Sequence, residues 1–136
     1  MPSNQWRESY RTHDSDIDAQ HISLFDMSAA FADAVERGEG GRVLYGVLFS
    51  LLEYTRTHFA DEEALLRRIA YPELEKQVSE HKEFVLTVRK WLDSPSLIDP
   101  QQVLTAIEQW LVVHISRSDA AYIPYVLLDK TRANKS

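Results

Sequence analysis

The sequence contains no cysteine. That absence excludes disulfides, thiolate zinc sites, iron-sulfur clusters and cysteine nucleophiles, and it suits a reducing compartment, so a cytoplasmic location is expected. Glycine and proline are scarce, four and five in 136 residues, and they separate long periodic stretches, which favours helices over strands. No run approaches the roughly 20 apolar residues of a membrane span. The stretch from Met1 to Trp6 has neither a basic start nor an apolar core, and no secretory leader is expected. Positive charge is also in short supply: 15 Lys and Arg against 21 Asp and Glu give a formal charge of -6, the wrong sign for a phosphate-binding surface. Neither a nucleic-acid nor a membrane role is expected. A chain of this length makes one domain with enough core to fold without cross-links.

What the chain does have is four long amphipathic stretches. Ile17, Leu24, Phe31 and Val35, with His21 and Ser28 on the same line, mark a first helix. Asp18 is its expected N-cap, with Ile17 and Ile22 as a hydrophobic staple, and Gly38, Gly40 and Gly41 are expected to end it. A second helix is predicted from about Arg42 to Ile69 on the seam Leu44, Leu48, Leu51, Thr55, His58, Glu62. Tyr71 and Pro72 break the chain, and Pro72 is expected to start a third helix with the seam Leu74, Gln77, His81, Phe84, Val88, Trp91. After a loop from Asp93 to Ile98, Asp99, Pro100 and Gln102 form a start signal for a fourth, whose seam is Leu104, Ile107, Leu111, His114. Residues 1–16 read as an N-terminal arm and 17–128 as the bundle, with a short helical tail from Ala120 to Leu128 interrupted at Pro124. Residues 129–136 are expected to fray.

Short connections make consecutive helices antiparallel, so the fold class is all-α, an up-down-up-down four-helix bundle. In that order the start of the first helix, the end of the second, the start of the third and the end of the fourth share one end of the bundle. His21, His58 with Glu62, Gln77 with His81, and His114 then face inward at similar height. Unpartnered charges buried this way would cost several kcal/mol each, which a small domain does not tolerate. His58 with Glu62 and Gln77 with His81 are spaced i to i+4, so each pair leaves one helix face toward a common point. One histidine on an apolar stripe is ordinarily a core residue; four of the chain's five converging at one end point to a dinuclear metal site. The donors suit iron, zinc, manganese or copper, so ligand type alone does not select iron. The fifth, His13, reads as a solvated arm residue.

These residues also carry a resemblance. Asp18-Ala19-Gln20-His21 resembles the first-helix motif of the hemerythrin family, and the stretch from Leu52 to Glu63, with Tyr54, His58-Phe59 and Glu62-Glu63, resembles its second-helix pattern. Trp6 is similar to a tryptophan of the family's arm, and Trp110, Leu111, His114, Ile115, Asp119 and Tyr122 resemble its closing motif, so the likeness spans about residues 6 to 126. The family is itself an established case of the up-down-up-down bundle. The resemblance implies two non-haem iron ions with a bridging oxygen: Glu62 and Asp119 would bridge them, His21 and His58 would bind one, and His81 and His114 the other. Asp119 follows His114 by five residues, about 140 degrees round an ideal helix, so the chain must leave regular helix there to bring both inward.

The departure is Gln77, where the family carries a further histidine. Gln77 is expected to reach its iron directly or through water; the alternative is a glutamine that only fills space. The resemblance implies reversible binding of molecular oxygen for storage, delivery or sensing, at the iron held by His21 and His58, with Leu24, Phe25, Phe59 and Leu111 as candidates for an apolar wall. Two other readings stay open: a redox enzyme acting on peroxide, nitric oxide or another small oxidant, and a bundle with altered or no metal. The Glu-x-x-His repeats of carboxylate-rich di-iron oxidases are absent, which lowers the oxygenase reading. A monomer is expected, and no protein partner is indicated.

Overall fold

The computed structural model describes residues 5–134. It is built of α1 (Ser15–Glu36), α2 (Gly40–Arg68), α3 (Leu74–Asp93), α4 (Pro100–Val113) and α5 (Ile123–Asn134), with no strand among the described residues. The first four form the bundle. Leu24, Phe31, Leu44, Leu48, Phe84, Val88, Val103 and Ile107 interlock along its axis as the main core. A second apolar cluster, Ile17, Leu65, Leu66, Tyr71, Tyr122 and Val126, closes one end. Among the described residues, no helix is long and apolar enough to cross a membrane.

The helix ends differ from expectation in instructive ways. Asp14 caps α1, its Oδ1 accepting from the Ile17 amide at 3.1 Å. Asp18, the expected cap, lies one turn inside the helix, where its Oδ1 accepts from both the amide and the hydroxyl of Thr12 at 2.8 Å. It ties down the arm. The apolar seam begins only at Ile17, so the polar first turn carried no periodic signal, and the exposed Ile22 makes no staple.

Gly38 alone ends α1, with φ 77° and the paired bonds Glu39 N–H to Ala34 O and Gly38 N–H to Val35 O that define a Schellman motif. Gly40 and Gly41 open α2 instead. A Cβ on Gly40 would sit 2.9 Å from Pro100 Cβ and Val35 Cγ2, so glycine there lets α1, α2 and α4 approach.

Pro72 stands in a tight turn closed by Leu74 N–H to Tyr71 O at 3.3 Å, a position its fixed φ suits, and α3 begins after it. Asp99 caps α4 with Pro100 in its first turn, as expected. In the tail Pro124 falls in the first turn of α5, where a missing N–H has no helical acceptor to disappoint, so the helix is not interrupted. It continues to Asn134, past the point at which fraying was expected; residues 135 and 136, like 1–4 of the arm, lie outside the described residues.

Candidate metal centre

Between the two apolar clusters lies a polar one. The seven residues singled out in the sequence, His21, His58, Glu62, Gln77, His81, His114 and Asp119, are all buried and joined by contacts. Glu62 is at the middle: its Oε1 is 2.9 Å from His81 Nε2 and 3.9 Å from His114 Nε2, and its Oε2 is 3.7 Å from His21 Nε2. Asp119 lies between His21 and His114, with Oδ2 3.1 Å from His21 Nε2 and Oδ1 3.2 Å from His114 Nε2. Two groups have donor atoms all within 4.8 Å of one another: His21, His58 and Glu62, and Glu62, His81 and His114. Glu62 is common to both. His13 belongs to neither; it is half-buried before α1 with φ 74°.

His114 to Asp119 form a π-helix, the departure from regular helix that their spacing requires. Bonds from i to i+5 widen the turn, and residues five apart then project to the same side.

Around the donors, three of the four rings, His58, His81 and His114, have a polar side chain behind them. Gln20 Oε1 lies 2.7 Å from His58 Nδ1 while its Nε2 donates to Asp61 at 2.8 Å. Glu63 Oε2 is 2.8 Å from His81 Nδ1. Glu80 Oε2 faces His114 Nδ1 at 3.4 Å and is itself held by the Ser118 hydroxyl. Phe59 stacks on His81 with centroids 3.9 Å apart, and Trp110 stacks on His114 at 4.4 Å. Such partners fix tautomer and ring plane so that the other nitrogen faces the cluster. Gln20, Glu63, Glu80 and Ser118 were given no role from the sequence. Gln20 and Glu63 stood inside the motifs that carry the family resemblance, whereas Glu80 and Ser118 are polar flanks of the kind any helix surface carries and gave no signal.

The electrostatics are those of charges driven together. Burial works to lower the His21 pKa, yet the carboxylates of Asp119 and Glu62 overcome it and hold it up at about 9. His114 is likewise raised well above the usual imidazole value, against burial, by Asp119 and Glu62. For His58 burial prevails and the pKa drops to about 4. Burial opposes the charge on Glu62, but the imidazoles of His114, His21 and His81 beside it hold its carboxyl well below the usual range. Tyr122, wholly buried, donates to Glu62 Oε2 at 2.7 Å, and burial followed by the Glu62 charge raises its phenol well above 10.

Even so the cluster is not satisfied internally. His21 Nδ1 and Nε2, Glu62 Oε1, Gln77 Oε1, His81 Nε2, His114 Nδ1 and Nε2 and Asp119 Oδ2 are buried without a hydrogen-bond partner, so Glu80 meets His114 Nδ1 as a charge and not as an aligned acceptor. The short approach of His81 Nε2 to Glu62 Oε1 therefore lacks hydrogen-bond alignment. Close but unaligned lone pairs of nitrogen and carboxylate oxygen are what a bound cation requires, and the donor set suits first-row transition metals. Gln77 is inside the cluster too, its Nε2 donating to Asp119 Oδ1 at 2.9 Å.

Comparison with known proteins agrees with this geometry. Residues 12–126 match the family model of the hemerythrin HHE cation binding domain. The chain is 27% identical over 112 residues to a bacteriohemerythrin of Campylobacter jejuni, covering 80% of this chain and 84% of the relative. It is 32% identical over 117 residues to the myohemerythrin of Riftia pachyptila, covering 86% and 88%, and 29% identical over 117 residues to myohemerythrin-1 of Phascolopsis gouldii, covering 86% and 89%. With a family match over most of its length and the buried donor cluster of a cation site, the chain belongs to the hemerythrin family.

Proposed function

We propose that the chain is an oxygen-binding protein with a non-haem di-iron centre, serving storage, delivery or sensing. The observation that carries this reading is the set of unpartnered nitrogen and oxygen atoms that α1, α2, α3 and the π-helix bring together in an otherwise apolar interior. His21 and His58 would hold one iron, His81 and His114 the other, with Glu62 and Asp119 shared between them. Two iron ions held there would supply the redox chemistry for reversible binding of molecular oxygen.

The protein's own part is positional. Gln20 and Glu63 hold the His58 and His81 imidazoles in one tautomer, Glu80 places its charge behind His114, and the Tyr122 hydroxyl orients Glu62. Leu24, Phe25, Phe59 and Leu111, all buried, keep bulk water from the donors.

Gln77 is assigned as an iron ligand through Oε1, directly or through water. Its Nε2 is committed to Asp119, and a buried acceptor left without a partner costs about 1–3 kcal/mol. An amide oxygen gives less electron density than imidazole, so Gln77→His should raise iron retention and shift both oxygen affinity and autoxidation rate. No change in any of the three would remove the assignment.

The same departure favours a second reading, redox turnover of peroxide or another small oxidant at a less saturated iron. Counting metal per chain and recording visible spectra with and without oxygen tests the first. Reversible spectral cycling supports a carrier, whereas steady consumption of peroxide with a reductant supports an enzyme. Folded, iron-supplied protein without a dinuclear centre ends both.

A further inference from the structure

Three of the chain's six tyrosines form a line from the donor cluster to the surface. Tyr122 is wholly buried with its hydroxyl on Glu62 Oε2. Its ring meets the edge of Tyr71 with centroids 6.0 Å apart, and Tyr71, 7% exposed, meets Tyr125 at 5.1 Å, again edge to face. Tyr125 is 38% exposed. Edge contacts at these distances are ordinary aromatic packing. Phenol is also the side chain, with indole, that gives up one electron at a potential a strong oxidant reaches, provided its proton has somewhere to go. At Tyr122 it does.

We propose that Tyr122, Tyr71 and Tyr125 are a one-electron relay that drains oxidising equivalents from the centre to the surface when hydrogen peroxide reaches it. The proposal rests on the di-iron reading. Hydrogen peroxide breaks its O–O bond and takes up two electrons and two protons, giving two waters. The relay delivers those electrons one at a time. Tyr122 gives an electron while its hydroxyl proton crosses to Glu62, leaving a neutral tyrosyl. Tyr71 then reduces it, Tyr122 recovers its proton from Glu62, and Tyr71 releases its own proton to solvent. Tyr125 reduces Tyr71 in the same way, and an external hydrogen-atom donor restores Tyr125. Each peroxide consumes two such donors. Without a donor, Tyr125 radicals of two molecules couple by a carbon-carbon bond, and the sum is one peroxide and two tyrosines to one dityrosine and two waters.

The location of damage tests the relay without reading turnover. Tyr45 on α2, whose ring among the described residues stacks on Phe49 alone, is 59% exposed and so more accessible than Tyr125. Peroxide acting from solution would mark Tyr45 first; the relay marks Tyr125. Iron-loaded protein, its iron counted beforehand, is treated with hydrogen peroxide, freeze-quenched for electron paramagnetic resonance, and analysed for dityrosine by fluorescence and peptide mapping. A tyrosyl signal and a dimer linked at Tyr125 are expected. Tyr125→Phe should lose the dimer and keep the radical. Tyr71→Phe, which preserves the ring packing and leaves Glu62 untouched, should lose the dimer although Tyr125 is intact. Tyr45→Phe should change neither. A dimer that survives Tyr71→Phe, or forms at Tyr45, overturns the relay, as does a tryptophanyl signal from Trp110, the ring stacked on His114. Folded wild type that binds no iron fails at the counting step, which identifies the di-iron reading as the fault and takes the relay with it.

Discussion

Along α2 the inward positions pass from Leu44, Leu48 and Leu51 toward one end of the bundle to Thr55, His58 and Glu62 toward the other, where only Leu65 and Leu66 follow before the helix stops, all buried. The periodicity does not change, yet the physics does. At the first end each leucine taken from water contributes about 1.5–3 kcal/mol, and nothing further is needed. At the second, the same depth holds a carboxylate with 0% exposure and three imidazoles near it, and their desolvation is offset in part by one another, by Tyr122 and by Glu63, with atoms left unpartnered as at a cation site. One end of the bundle is stable by composition; on the proposed reading the other is stable by occupancy.

Removing the shared carboxylate should give the largest effect. Glu62→Ala takes away contacts to His21, His81, His114 and Tyr122 together, and the folded protein is expected to lose its dinuclear iron. Lost with it is the stabilisation that metal gives to the folded state, about 4 kcal/mol where free iron exceeds its dissociation constant a thousandfold. Iron per folded chain and Tm with and without chelator measure this. A variant with full iron content would mean that Glu62 is not the hinge of the site.

The opposite end should respond in the opposite way. Leu48 has 0% exposure in the main core, and Leu48→Ala is expected to cost about 2–5 kcal/mol in urea unfolding. Iron per folded chain should stay unchanged. If iron falls in parallel with stability, the two ends are not separable and the contrast is lost.

How far each end could be read in advance follows from the same contrast. Apolar seams repeat over many turns, so four helices and their antiparallel order were legible, and His21, His58, Glu62, Gln77, His81 and His114 stood out as polar residues on those seams. Asp119 came from the family resemblance, and its spacing from His114 foretold the π-helix. Single hydrogen bonds leave no period. Asp14 and Asp18 are both acids near a helix start, and only the buried Thr12, six residues before Asp18, decides that Asp18 holds the arm while Asp14 caps. Pro72 marked a break correctly in kind but not in place, and Pro124 marked none, because proline is compatible with both a tight turn and a first helical turn. Gln20, Glu63 and Glu80 act across helices, over 38, 18 and 34 residues of sequence to His58, His81 and His114.

The smallest effect concerns how the two ends are closed. At the apolar end α1 stops in a Schellman motif with Gly38 at φ 77°. At the metal end α2 stops in the same motif, with Tyr71 N–H to Leu66 O at 2.9 Å and Ala70 N–H to Arg67 O at 3.2 Å, but the left-handed residue is Ala70 at φ 55°. A left-handed alanine is strained by about 1–2 kcal/mol, and glycine removes that strain at some cost in chain entropy. Ala70 is exposed, so truncating it sacrifices no packing. Ala70→Gly should therefore raise stability by about 0.5–1 kcal/mol, a Tm gain of about 3 °C. Gly38→Ala, with no atom within 4 Å of the added Cβ, should lose a similar amount. Calorimetry of both variants without iron measures the pair. Equal and opposite shifts would show that the closing turns obey one backbone rule whatever they enclose, whereas a gain at Ala70 that appears only with iron bound would tie this turn to occupancy through its neighbour Tyr71.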